Sequence, residues 1–295
     1  MQRARIGYLS VIAAALLWAS SGNAAKFLFN SGVSPYQLVQ LRTTVAAACL
    51  LIWLLAGKRD LLRIRRRDVV FFVLLGIILA AVQFTYLYTI SRIPVAAAIL
   101  IQYQSPVLIA LYTHVFRKKR LAGSAYLAIA GALTGCYLMV GGYNLALFNL
   151  NKAGILSGVA SSIVFAWYAI KSEDGMRTYS PWTLLAYGLL VASAVWNVFF
   201  PPFSSFTAGH NLPAWIAILH IGIFGTVIPF GLYNVGIREI EATHASITAT
   251  LEPVFAGIIA YLLLGEVLEL WQIIGAGVVI LSILLLQARM AHKGT

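Results

Sequence analysis

The sequence predicts an all-α polytopic membrane protein whose ten transmembrane helices form two inverted five-helix repeats. Three observations lead to this prediction. The 295 residues are 61% hydrophobic and only 10% charged, whereas a soluble protein carries about 25% charged residues. Ten apolar segments are each long enough to cross a bilayer. The chain also repeats itself, with matching positions 146 residues apart.

The ten apolar segments follow one another along the whole chain. A helix needs about 20 apolar residues to cross ~30 Å of hydrocarbon. The segments that satisfy this length cover residues 6–29, 36–56, 69–90, 93–115, 121–141, 153–171, 181–200, 213–236, 242–263 and 267–288. Turn and charge signals such as Gly57-Lys58-Arg59-Asp60 and Pro201-Pro202 separate them. The first segment is too long for a signal-peptide core, so we expect a retained helix.

The internal repeat consists of short matching segments that occur in the same order in both halves of the chain. Ser34-Pro35-Tyr36 recurs as Ser180-Pro181-Trp182, and Pro106 matches Pro253 after a one-residue slip. Because five is an odd number of spans, the second copy must enter the bilayer from the opposite side. This arrangement is common among secondary transporters. The predicted repeats are residues 1–146 and residues 147–295.

Lysine and arginine are distributed unevenly between the two sides of the predicted membrane. With the N-terminus in the cytoplasm, 17 of the 21 lie on the cytoplasmic side and two lie within spans. Only Arg92 and Lys152 lie outside. Cytoplasmic loops carry such an excess, so we expect both termini in the cytoplasm. The same rule explains the net charge of +12 without a nucleic-acid partner.

Four local patterns lie in the first, second, ninth and tenth predicted spans. They are Trp18-Ala19-Ser20-Ser21-Gly22-Asn23 followed by Lys26, Pro35 followed by Arg42, the run Leu251-Glu252-Pro253-Val254-Phe255-Ala256, and Leu264-Gly265-Glu266 followed by Trp271-Gln272 and Gly275-Ala276. With these patterns the whole chain resembles the drug/metabolite transporter superfamily, in its ten-helix EamA-type branch. Within that branch it looks most like the YddG-type exporters of aromatic amino acids and methyl viologen.

The resemblance implies the EamA-type fold and export of small metabolites across a bacterial inner membrane. We expect this export to proceed by alternating access, without a cofactor. It implies a central cavity lined by the third, fourth, eighth and ninth helices, with the first and sixth alongside. The fifth and tenth helices would stay at the periphery, where they can support a homodimer. Two alternatives stay open. One is export of threonine, homoserine or cysteine-pathway compounds, and the other is flipping of a lipid-linked substrate.

Glu252 is the first candidate for a coupling group. It lies near the middle of its span, where an ionised side chain costs about 2.5–3.5 kcal/mol even on the mildest scale. It is interpreted either as a proton-coupling carboxyl that also suits a substrate ammonium group, or as a neutral carboxyl hydrogen-bonded to a neighbouring helix. His244, eight residues earlier, is a second titratable candidate, with a place among the headgroups as the alternative.

Two prolines and one arginine complete the unusual groups within spans. Pro106 and Pro253 lie in matched spans, where each removes a backbone hydrogen bond. Such breaks point to the binding site of an inverted-repeat transporter, although a kink that only shapes packing is the alternative. Arg42 lies about 6 Å from the centre of its span. It can hold a substrate carboxylate or tie the second helix to a neighbour.

Aromatic residues are plentiful in the helices that would line the cavity. Ring faces and edges suit aromatic substrates and organic cations, although aromatic side chains are also ordinary packing groups in membranes. The candidates are Trp18, Phe84, Tyr86, Tyr103, Trp167, Tyr168, Phe230, Tyr233 and Phe255. Gln102, with Gln83 and Gln104, adds uncharged polar groups beside them.

Catalytic and energy-coupling motifs are missing from the sequence. It contains no HExxH, no GxSxG and no paired acids within a span, so an intramembrane enzyme is not expected. The five histidines and two cysteines have no metal-ligand spacing. A phosphate-binding G-x-x-x-x-G-K-[ST] loop is also absent, which excludes ATP-driven transport by this sequence alone.

Overall fold

The computed structural model of the chain describes residues 2–143, 151–264 and 268–292. The predicted all-α architecture is confirmed, because the described part contains helices and turns and no strand. The helices are α1 Gln2–Asn30, α2 Pro35–Gly57, α3 Val69–Arg92, α4 Val95–Gln102, α5 Ser105–Val115, α6 Gly123–Met139, α7 Lys152–Gly175, α8 Pro181–Phe199, α9 Leu212–Gly222, α10 Ile228–Ala249, α11 Glu252–Leu264 and α12 Leu270–His292. Gly265 and Glu266, in the fourth sequence pattern, lie outside the described residues.

Eight helical runs within the described ranges are long and apolar enough to cross a membrane. The predicted fourth span is α4 with α5, and the run Leu212–Ala249 holds the eighth span and the start of the ninth. That run is 38 residues long because α10 turns without a gap at Glu241, whose φ of 64° and ψ of 160° are not helical. α6, the predicted fifth span, is apolar but has only 17 residues.

The repeated Ser-Pro motif begins a helix in both halves. The side-chain oxygen of Ser34 accepts a hydrogen bond from the backbone N–H of Gln37 at the start of α2. Ser180 does the same for Thr183 at the start of α8. Each serine accepts a hydrogen bond from an N–H of the first turn that has no partner within the helix. The next position tolerates proline because the N–H that proline lacks would have no acceptor within the helix. The repeat in sequence is therefore a repeat of helix capping.

Contacts between helices follow the same repeat. α1 packs along α10, which is the first span against the eighth, and α3 packs along α7, which is the third against the sixth. The first and sixth spans hold the same place in the two halves, and so do the third and eighth. The contact of the first span with the eighth therefore corresponds to the contact of the sixth with the third. α2 packs on α8, and α6 packs on α12. In each of those pairs the two spans hold the same place in the two halves of the chain, the second with the seventh and the fifth with the tenth.

The α6–α12 contact depends on close backbone approach. A Cβ atom added to Gly275 would lie 2.7 Å from the carbonyl oxygen of Gly135, and one added to Gly135 would lie 2.7 Å from that of Gly275. Small residues allow such approach between membrane helices. The Gly131–Gly135 face of α6 therefore packs within the chain. A second copy of the protein would have to use another surface.

Candidate functional site

The two predicted kink prolines lie at interruptions of their spans. α4 gives way to α5, with Pro106 in the first turn of α5. α10 gives way to α11, with Pro253 in the first turn of α11. A proline has no N–H for the carbonyl four residues earlier, and its ring crowds the preceding turn. The spans are therefore discontinuous helices rather than bent continuous ones.

Tyr103 joins the two interruptions. In a continuous helix the carbonyl of Ala249 would accept a hydrogen bond from residue 253, which here is proline. The hydroxyl of Tyr103, from the break between α4 and α5, lies 2.7 Å from that carbonyl oxygen. The same hydroxyl lies 2.7 Å from Oε2 of Glu252. Backbone freed inside a membrane must be satisfied by protein or cavity water, and here a side chain from the other half does it.

A cavity lies beside the joined interruptions. It contains about 460 Å³ of empty space, part of it open to solvent. Its wall comes from α1, α2, α3, the end of α4, α7, α10 and the start of α11. The lining residues are Trp18, Ser21, Arg42, Val82, Gln83, Tyr86, Gln102, Tyr103, Phe165, Phe230 and Glu252.

Arg42 is tied to the neighbouring helix and also lines the cavity. Its Nε donates to Oγ1 of Thr226 at 2.6 Å, and its Nη2 donates to the carbonyl oxygen of Gly225 at 2.9 Å. Both acceptors belong to a π-helical turn at Ile223–Val227, between α9 and α10. A guanidinium carries five N–H donors, so three are left without an acceptor among the described residues. The two interpretations of Arg42 are therefore compatible.

Glu252 and Arg42 face the same space from different helices. Glu252 is 7% exposed and Arg42 is 4% exposed, and neither residue bonds to the other within the described structure. Burying charged groups is tolerated only when they are compensated. The cavity therefore offers an acidic and a basic group to a ligand that carries both charges.

Three aromatic rings form one wall of the cavity. The ring of Trp18 lies edge-on to Phe230 at 5.2 Å and to Phe165 at 6.1 Å between centroids. Tyr233 stacks on Phe165 at 5.4 Å from behind. Tyr168 supports Phe230 with its ring edge at 5.7 Å. Tyr168 and Tyr233 are thus buried supports of the lining rings, and they do not line the cavity themselves.

Two polar groups in the wall have no hydrogen-bond partner in the part of the chain that the structure describes. Gln83 is only 1% exposed, and its Nε2 makes no hydrogen bond within the described residues. The hydroxyl of Tyr86 is likewise buried without a partner. Buried polar groups in native proteins are nearly always hydrogen-bonded to protein, water or ligand. The unpartnered pair therefore indicates a place where a polar ligand or water binds.

Other predicted residues lie away from the cavity. Phe84 packs against Trp196 at 4.8 Å and Tyr36 at 5.1 Å. Trp167 is 42% exposed and lies beside the ammonium of Lys171 at 5.1 Å. Phe255 packs against a separate apolar cluster around Cys136, Met139 and Val279. His244 does not line the cavity, and its carbonyl accepts from the hydroxyl of Thr248.

Helical spacing explains the lining residues that were not among the predicted site residues. Successive residues of a helix are rotated by 100°, so positions three or four apart share a face. Ser21 is three residues after Trp18, and Val82 and Gln83 are four and three residues before Tyr86. Phe165 is two residues before Trp167 and so lies on nearly the opposite face. Positions three or four residues from Trp18 and Tyr86 therefore include Ser21, Val82 and Gln83, and only Phe165 is not found in this way.

Ion pairs join the halves at one end of the bundle. Arg117, after α5, contacts Glu173 at 2.5 Å and Asp174 at 2.7 Å near the end of α7. The second oxygen of Glu173 accepts from the backbone N–H of Ala242 at 2.8 Å. Lys119 contacts Glu241 at 2.5 Å.

A neutral network occupies the opposite end. The side-chain N–H of Gln40 donates to Asn197 at 3.1 Å and to the carbonyl of Pro201 at 3.0 Å. The backbone N–H of Ser205 donates to Oε1 of Gln40 at 3.0 Å. The two ends of the bundle are therefore held by different chemistry. Within the described ranges, no three His, Cys, Asp or Glu side chains gather as metal ligands.

The known proteins that the chain resembles in sequence include several named as transporters or exporters. The chain is 26% identical to the uncharacterized inner membrane transporter YicL of Salmonella typhimurium over 291 residues, which is 97% of this chain and 96% of that protein. It is 29% identical to an uncharacterized transporter of Archaeoglobus fulgidus over 68% of this chain and 70% of that protein. It is 22% identical to the threonine/homoserine exporter RhtA of Escherichia coli over 70% of this chain and 66% of that protein.

Fold comparison and the family model agree with these relatives. The crystal structure of another protein shares the fold with a TM-score of 0.77 at 20% identity, covering 98% of this chain and 99% of that one. The model of the EamA-like transporter family matches twice, over residues 5–141 and 152–287. The chain therefore belongs to the EamA-like transporter family.

Proposed function

We propose that this membrane transporter exports neutral amino acids and similar small metabolites across a bacterial inner membrane by alternating access. One observation carries the proposal: a cavity between two interrupted helices presents Arg42 and Glu252 from opposite halves of the chain. A zwitterion supplies a carboxylate and an ammonium group that complement this pair. Interrupted helices are typical of substrate sites in transporters built from inverted repeats.

The aromatic wall supports an aromatic side chain on the substrate. The ring of Trp18 lies 6.1 Å from that of Phe165 and 5.2 Å from that of Phe230, so the three residues offer ring edges and faces on one side of the cavity. Organic cations of the methyl viologen kind would also be attracted to these rings and to Glu252. The YddG-type activity suggested by the sequence patterns is therefore the first proposal.

Export of threonine and homoserine is the second candidate. RhtA, a relative at 22% identity, is named a threonine/homoserine exporter. Ser21 and Gln102 also line the cavity and can bond a side-chain hydroxyl. Competition between aromatic and hydroxylated amino acids for uptake separates the two candidates.

The proposed working cycle uses the two halves, residues 1–146 and 147–295, as units in opposite orientation. The excess of basic residues supports cytoplasmic termini, and with that orientation the Arg117–Glu173 and Lys119–Glu241 pairs would close the cytoplasmic side. Rocking of the halves would then break these pairs. A homodimer is compatible with this cycle.

Reconstitution into liposomes tests the transport proposal. Purified protein is assayed for uptake of radiolabelled phenylalanine, tryptophan, threonine and leucine, with and without a pH gradient. We expect saturable uptake, and we expect the Trp18→Ala variant to lower aromatic uptake about tenfold because a cavity ring is lost. Trp167→Ala removes the same ring outside the cavity and serves as the matched control. No movement of any amino acid by the unmodified protein would reject the proposal.

A further inference from the structure

Three side chains in the cavity wall carry N–H or O–H groups that no acceptor among the described residues takes up. Nε2 of Gln83 and the hydroxyl of Tyr86 are buried and make no hydrogen bond within the described residues. Arg42 uses two of its N–H groups on Thr226 and Gly225 and has three left. All three side chains line the same cavity. A fold that buries three incompletely satisfied donors around one space is completed by an acceptor that is not part of the chain.

The helices hold these donors in place before any ligand arrives. Gln83 and Tyr86 are three residues apart on α3, so they lie on one face, one turn apart. The guanidinium of Arg42 is fixed against the π-helical turn by its bonds to Thr226 and Gly225. A positioned donor set binds more tightly because less conformational freedom is lost on binding. These donors therefore behave as a built site rather than as scattered polar groups.

The chemistry of the donors selects the ligand. A guanidinium matches a carboxylate or phosphate through paired N–H groups, and an amide N–H and a phenol O–H add two further donors. Glu252 is the one acid in the described wall, and it already lies against Tyr103. A dianionic phosphate would leave an unbalanced negative charge beside Glu252 in a buried site. A monoanionic carboxylate is balanced by Arg42 alone.

We propose that Arg42, Gln83 and Tyr86 form a carboxylate-binding subsite that determines which end of the substrate enters this side of the cavity. The inference rests on the proposed role of the cavity as the transport site. It adds the requirement that ligands carry a carboxylate. The amine of an amino acid would then point towards Glu252, while its side chain contacts the Trp18 wall. Amines and amides of the same shape would bind weakly.

Ligand binding to the purified protein tests the subsite apart from transport. The probes are 3-phenylpropionate and its neutral counterpart 3-phenylpropanamide, followed by tryptophan fluorescence and by thermal stabilisation in detergent. We expect the acid to bind about tenfold more tightly than the amide, since a charge-assisted pair is stronger than a neutral one. Equal affinities, or no binding of either probe, would overturn the subsite.

Conservative variants assign the effect to named atoms. Tyr86→Phe removes only the hydroxyl, and Gln83→Leu replaces the amide side chain with an apolar one. Each should weaken binding of the acid about three- to tenfold and change binding of the amide less. Arg42→Lys keeps the positive charge but loses the paired N–H groups of the guanidinium, so it should weaken binding of the acid further. Tyr8→Phe is the matched control, because it removes a buried hydroxyl that makes no hydrogen bond to any described residue and does not line the cavity.

The outcomes separate the subsite from the transport proposal. Acid affinity that is as insensitive to Tyr86→Phe and Gln83→Leu as to Tyr8→Phe would overturn the subsite while leaving transport intact. Preference for the acid in a protein that moves no amino acid would overturn the transport proposal and keep the subsite. Melting temperatures of the unliganded variants identify any that fail to fold, and Tyr86→Phe, which changes one oxygen, keeps the test decisive.

Discussion

The hydroxyl of Tyr103 bonds to the carbonyl of Ala249, which lies 146 residues further along the chain. That separation is one residue short of the 147 between Pro106 and Pro253, so the contact joins nearly corresponding positions of the two interrupted spans. The symmetry is broken there, because Glu252 lies 2.7 Å from the same hydroxyl and only the second half supplies an acid. A phenol has one hydrogen. Ionised Glu252 competes with Ala249 for that hydrogen, whereas protonated Glu252 can supply a second one.

The first prediction concerns Tyr103 as the donor that replaces, at the carbonyl of Ala249, the backbone N–H that Pro253 lacks. Tyr103→Phe should lower the free energy of unfolding by about 1–3 kcal/mol, because a buried carbonyl and Glu252 lose their donor. In a Pro253→Ala background the new backbone N–H can bond to Ala249, so Tyr103→Phe should cost about 1 kcal/mol less. Thermal unfolding in detergent measures both values.

A control variant shows whether the loss of stability belongs to the hydrogen bond of Tyr103 rather than to the removal of any buried hydroxyl. Tyr233→Phe removes a buried hydroxyl that has no hydrogen-bond partner within the described structure, so it should not reproduce the loss. Equal costs of Tyr103→Phe in the two backgrounds would show that Tyr103 does not replace the missing proline N–H.

The second prediction concerns coupling at Glu252. Glu252→Gln keeps a hydrogen-bonding group beside Tyr103 but cannot exchange a proton. If Glu252 carries the coupling proton, the variant should transport within about threefold of the unmodified rate and lose its response to a pH gradient. Liposome uptake at two gradients measures this. Glu239→Gln, whose parent pairs with Arg238 away from the cavity, is the control. An unchanged pH response in Glu252→Gln would exclude this role.

The third prediction concerns the charged end of the bundle. Glu173 is 20% exposed and bonds to both Arg117 and the N–H of Ala242. Glu173→Ala should lower the free energy of unfolding by about 1–3 kcal/mol, because the N–H of Ala242 loses its side-chain acceptor and Arg117 loses one of its two carboxylates. Asp60→Asn, at an ion pair whose side chains are 85% and 88% exposed, should change it by less than about 0.5 kcal/mol. Similar melting temperatures for the two variants would contradict the structural role of Glu173.

The fourth prediction concerns the packing of α6 on α12. Gly275→Ala places a methyl group 2.7 Å from the carbonyl oxygen of Gly135, and such overpacking costs about 1–3 kcal/mol. Gly277→Ala, two residues later, meets no atom within 4 Å. It should be neutral or stabilising by up to about 1 kcal/mol, since alanine favours helix. Thermal melting of the two variants compares them directly, and equal tolerance would show that α6 and α12 can separate freely.

Local signals in the chain predicted much of the framework and part of the site. The Ser-Pro repeats predicted matched helix starts, and the two prolines marked the interrupted spans. Seven predicted residues do line the cavity: Trp18, Arg42, Tyr86, Gln102, Tyr103, Phe230 and Glu252. Six others do not: Phe84, Trp167, Tyr168, Tyr233, Phe255 and His244. On α7 the prediction named Trp167, whereas the residue that lines the cavity is Phe165, two residues or about half a helical turn away.

The sequence by itself determined how many apolar segments there are, where they are interrupted and how their charges and repeats are ordered. These are one-dimensional constraints set by bilayer thickness, proline geometry and the cost of charge. Only the tertiary structure decided which face of each helix lines the cavity. Lipid and protein interior are both apolar, so hydropathy does not mark the inward face of a membrane helix. The partner of Ala249 was decided by packing as well, because Tyr103 reaches it from the other half of the chain.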